Sequence, residues 1–144
     1  MRRASGVVFV AAILILAGGG AALADDLTGA QQILCTAVQA TRCAEEGECY
    51  QDLPWNLNVP QFIQVDLVAK RLSTTRASGE NRSTPIEYLK RTGGVIVLQG
   101  FEGGRAFSFV ISEATGMLSA AVAAEGKAVV VFGACTTNTA GPGR

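Results

Sequence analysis

Residues 95–112 read VIVLQGFEGGRAFSFVIS, two apolar runs separated by a segment containing three glycines. Residues 95–99 and 106–112 are rich in Val, Ile and Phe, side chains that suit a pleated, half-buried surface. The spacer 100–104, Gly-Phe-Glu-Gly-Gly, offers residues that adopt positive φ without strain. The two runs are therefore expected to form an antiparallel hairpin.

The same grammar continues on both sides. Residues 86–91, 117–124 and 128–135 are further strand-like runs, joined through Thr92-Gly93-Gly94, a spacer ending in Gly116, and Glu125-Gly126-Lys127. The run 117–124 is rich in alanine, but glycines bracket it at hairpin spacing, so it reads as a strand. Its small side chains imply either a close approach of another layer or an apolar cavity. Upstream, Ile63, Val65, Leu67 and Ala69 alternate with Gln64, Asp66 and Lys70, the period of a half-buried strand. Residues 73–85 lack apolar periodicity and are expected to be a polar loop.

Ahead of the strands, Thr28 and Gln31 match a capping box, with Asp25 and Asp26 placed for the positive end of a helix dipole. Ile33, Leu34, Ala37, Val38 and Thr41 recur at helical spacing, so a helix is expected to end near Arg42. The expected fold class is α+β, an N-terminal helix packed on a five- to six-stranded antiparallel meander sheet that could curl toward a barrel.

Residues 1–24 carry Arg2 and Arg3, an uncharged apolar run over 7–17, three glycines and Ala22-Leu23-Ala24, the layout of a cleaved secretory signal. A retained anchor is the alternative; the glycines and the small residues before Asp25 favour cleavage, leaving no stable membrane anchor. A lipid anchor is disfavoured because the first cysteine is Cys35, preceded by bulky Ile33 and Leu34. The expected organisation is a signal peptide over 1–24, one domain over 25–136 and a flexible tail over 137–144, in a periplasmic or secreted protein. Residues 25–144 contain ten basic and twelve acidic side chains, a net charge of −2. Without a basic excess, nucleic acid is not an expected partner.

In an oxidising compartment four cysteines imply disulfides. Cys43 with Cys49 closes a short ring around Gly47, and Cys35 with Cys135 would tie the expected helix to the last strand. The cysteine spacing lacks the close ligand pairs of zinc sites, and the sequence contains no histidine, so neither a metal nor another cofactor is expected.

The missing histidine also removes the Ser-His-Asp and Cys-His arrangements of nucleophilic catalysis. What remains is a non-catalytic binding or interaction protein whose partner is an envelope protein or a small apolar ligand. Trp55, Phe101 and Arg105 are its candidate contacts. The alternatives are a hydrolase of envelope sugars working through Asp66, Glu87 or Glu102, and a structural accessory subunit of an envelope complex.

Overall fold

The computed structural model describes residues 25–79 and 81–139, which form ten strands and two short 3-10 turns. The strands are β1 (Gln32–Ala44), β2 (Cys49–Asp52), β3 (Phe62–Asp66), β4 (Arg71–Thr74), β5 (Ser83–Pro85), β6 (Tyr88–Thr92), β7 (Val95–Glu102), β8 (Arg105–Ser112), β9 (Met117–Ala124) and β10 (Lys127–Thr137). All pairings are antiparallel, in the order β5-β4-β3-β1-β10-β9-β8-β7-β6, with β2 added beside β1.

This sheet curls into a half-barrel whose two end strands are successive pieces of one extended segment. At their joint the Ile86 amide donates to the Lys70 carbonyl (2.8 Å) and the Glu87 amide to the Gln99 carbonyl (2.9 Å). Counting β5 and β6 as one bent strand, eight strands surround the core, a width that side chains can fill or that leaves room for one small ligand. Between β5 and β7 the seam is bridged by side chains, Arg82 and Thr84 both donating to Glu102.

The α+β expectation is overturned: among the described residues there is no α-helix, and the segment expected to be helical is β1, the longest strand. A bulge explains the misreading. Ile33, Cys35 and Ala37 are buried at period two, and then the register slips between Ala37 and Gln39, exposing Val38 and making Ala40 the next buried residue. Buried Ile33, Ala37 and Ala40 thus fall at i, i+4 and i+7, the spacing of a helical stripe. The presumed capping box is a turn in which the Thr28 amide donates to Asp26 Oδ1 (2.9 Å) and the Ala30 amide to the Leu27 carbonyl (3.0 Å).

Two further expectations are corrected. Residues 73–85, expected to be a loop, contain the end of β4, a 3-10 turn over Arg76–Ser78 and β5; serine and threonine at paired positions such as Ser73 with Ser83 conceal the alternation. The spacer expected over 100–104 is shorter, because β7 runs on to Glu102 and only Gly103 and Gly104 turn. Gly100 is required inside the strand: a Cβ there would lie 2.5 Å from Cζ of Phe107.

Both disulfides pair as the sequence suggests, Cys35 with Cys135 and Cys43 with Cys49, each between directly opposed residues of neighbouring strands. The first therefore joins β1 to β10 rather than a helix to a sheet. Spanning 100 residues, it contributes up to about 4.7 kcal/mol in the chain-entropy model, against about 2 kcal/mol for the bridge spanning 6. The expected signal segment, residues 1–24, and residues 140–144 of the expected tail lie outside the described residues. Thr137 belongs to β10, and its amide donates to Asp25 (2.8 Å).

One end of the barrel is corked by residues 25–31. Leu27 is fully buried, its amide donating to the Glu113 carbonyl (2.7 Å), and Arg91 clamps the segment by donating to the Ala30 carbonyl (2.7 Å) while pairing with Glu113 (3.1 Å). Asp25 fastens the same segment to β10 through Thr136 and Thr137. Behind the cork, Ile33, Ile96, Leu98 and Ile111 are fully buried and fill the interior.

Candidate functional site

The opposite end of the barrel is hollow. The meander register brings the β1–β2, β4–β5, β7–β8 and β9–β10 connections together there, around a cavity of about 200 Å³. Strands β9 and β10 line it with Leu118, Ala120, Val122, Ala124, Val129 and Val131, and β8 adds Phe107 and Phe109. Those two rings meet edge to face, centroids 5.7 Å apart, and form an aromatic wall. Cys35 and Ala37 contribute from β1. A second side is covered by Leu57, the last residue of the 3-10 turn Pro54–Leu57, and by Asn58, Val59 and Pro60 after it.

The hollow arises from side-chain volume. In the row Phe109–Ala120–Val131 a methyl group stands where the next row toward the cork, Ile111–Leu118, places a leucine. Farther out, Ala124 and Ala128 keep the walls thin. An apolar cavity of about 150 Å³ is already large enough to hold a benzene-sized molecule. This one is larger and opens to solvent at a polar mouth.

That mouth is bordered by Arg42, Arg82, Arg105 and Lys127, with Glu102 as the acid among the described residues there. Glu102 accepts from Arg82 and from the Thr84 hydroxyl (2.8 Å), and Arg105 lies 3.8 Å away. Its carboxyl is held below the usual glutamate range, chiefly by the Arg82 hydrogen bond; partial burial opposes this, and Thr84 and the two guanidinium charges reinforce it.

Of the candidate contacts named from sequence, only Arg105 borders the cavity. Trp55 is half exposed on the 3-10 turn whose other face buries Pro54 and Leu57, and Phe101 points outward from β7 with 55% exposure. Of the three candidate carboxylates, only Glu102 lines the cavity. Asp66 accepts from the Val68 and Ala69 amides in a turn near the corked end, Glu87 is exposed at the β5–β6 joint, and Glu102 stands at the mouth. Among the described residues no cluster of Cys, Asp or Glu is suited to a metal ion.

Sequence reasoning missed Arg42, Arg82 and Lys127. Sequence patterning puts Arg42 at the end of a helix and Arg82 in a loop, so nothing in it places them at a common rim. The one legible signal was the small-residue strand 117–124, which is now the thin wall of the cavity. On the outside, Val110, Met117, Val130 and Phe132 stand exposed among alanines and serines of β8, β9 and β10. Comparison with protein-family models, with curated proteins and with solved structures gave no match.

Proposed function

We propose that this chain is a non-catalytic binding protein that holds one small, largely apolar ligand in the open end of its barrel. The apolar cavity behind a polar mouth is the observation that carries this reading, since such concavity is what small-molecule sites have in common. A periplasmic or secreted setting accords with the signal-like segment and the two disulfides. Among the described residues no helix is long and apolar enough to cross a membrane. The hydrolase alternative needs two carboxylates flanking one bond, and neither Asp66 nor Glu87 lines the cavity beside Glu102. A protein partner has one supporting observation, the exposed apolar group around Phe132.

Titration with neutral N-phenylnaphthylamine tests the proposal. The expected result is saturable fluorescence enhancement that is lost in Ala120→Phe, a variant that fills the cavity while melting cooperatively. Enhancement of equal size in both proteins, or none in either, would overturn it.

A further inference from the structure

We infer that the ligand is an amphipathic organic anion, its apolar part in the cavity and its carboxylate at the mouth against Arg42, Arg105 and Lys127. This inference rests on the binding reading above and specifies its ligand class. Four cationic side chains converge on the mouth from four separate segments, although the whole chain is electrically neutral. They are brought there by register: Arg42 and Ala44 of β1 oppose Val129 and Lys127 of β10, and Arg105 opposes Glu102 across the β7–β8 turn.

Among the described residues, acids at the cavity do not match Arg42, Arg105 and Lys127 one for one. Glu102 is engaged at short range by Arg82 and Thr84, leaving Arg105 at 3.8 Å. Among the described residues no carboxylate lies within ion-pair distance of Arg42 or Lys127. Glu45 approaches the neighbouring turn at Gly126 but does not line the cavity.

Positive charge at the lip of a low-dielectric cleft is weakly screened and attracts an anion to that point. Arginine favours a carboxylate there because its planar fork donates two parallel hydrogen bonds. The apolar walls beyond accept no second charge, which restricts the ligand to one anionic end.

Three probes with one tail separate the possibilities at about pH 8, where the carboxylate and ammonium groups are both ionised. Octanoate is expected to bind about tenfold or more tightly than 1-octanol, with octylammonium weakest. Arg42→Gln combined with Arg105→Gln should weaken octanoate severalfold and narrow its advantage over octanol. Glu102→Gln, which removes the competing carboxylate, should tighten octanoate alone and provides the test if the double variant does not fold. Equal affinity for octanoate and octanol, or octanoate binding indifferent to these substitutions, would overturn the anionic assignment while leaving the cavity as a binding site. Absence of binding by all three probes and by N-phenylnaphthylamine would instead overturn the binding reading itself.

Discussion

The corked and hollow ends of the barrel are built from the same strands and differ in what those strands send inward. Toward the cork the inward positions are Ile33 on β1, Ile96 and Leu98 on β7 and Ile111 on β8. Toward the mouth the same strands offer Ala37 and Ala40, Gly100, Phe107, and Ala120 with Ala124. Alternation, ladder and register are common to both ends, so the fold does not determine where the space lies. The decrease of side-chain volume along β1, β7 and β9 does.

The largest expected effects test that contrast through stability. Leu98→Ala and Leu27→Ala at the corked end are each expected to cost about 3 kcal/mol, because close-packed neighbours cannot collapse into the void. Val122→Ala, already beside empty space, is expected to cost about 1 kcal/mol or less. Urea denaturation with both disulfides intact measures all three, and equal losses at the two ends would break the comparison.

Smaller effects come from the carboxylates that mark each end. Asp25 at the cork is held below the usual aspartate range, chiefly by the Thr136 hydroxyl and then by the Thr137 amide, and Glu102 at the mouth is lowered chiefly by Arg82. A carboxyl with a lowered folded pKa stabilises the fold above its ordinary value, and that contribution is lost as pH falls through the lowered one. Stability is therefore expected to decline below about pH 4.5, with the decline shallower in Glu102→Gln and in Asp25→Asn. Asp25, the less buried of the two carboxyls, is expected to show the lesser change. An acid limb unaltered in both variants would remove these contacts from the account.

How much of this was legible varied with the kind of signal. Strand β9 is legible to the residue because glycines bracket an uninterrupted run, and the Cys43–Cys49 ring follows from its short spacing, whereas Cys35–Cys135, one of the pairings four cysteines allow, is expected for a helix that is in fact β1. Strand β1 was misread because one bulge converts a period of two into helical spacing, and a bulge depends on β10 lying alongside. Gly133 is part of that contact: a Cβ on it would stand 2.1 Å from the Thr36 carbonyl oxygen. Strands β4 and β5 were hidden because each is short and pairs serine and threonine across the ladder. The cavity could be named only as one of two outcomes of an alanine-rich strand, since the volume left beside an alanine depends on what faces it. The cationic mouth had no sequence signature at all; Arg42 and Arg105 are more than sixty residues apart in the chain and meet through register.

The central claim is that the interior is packed at the Leu27 end and hollow and apolar at the Arg105 end. Diffraction from crystals of the folded protein under xenon pressure tests it most directly, because xenon enters apolar voids and leaves filled cores empty. The account predicts a xenon site bounded by Ala120, Val122 and Phe107, and none among Ile33, Ile96 and Ile111. Xenon among those isoleucines, or none beside Ala120, would contradict it.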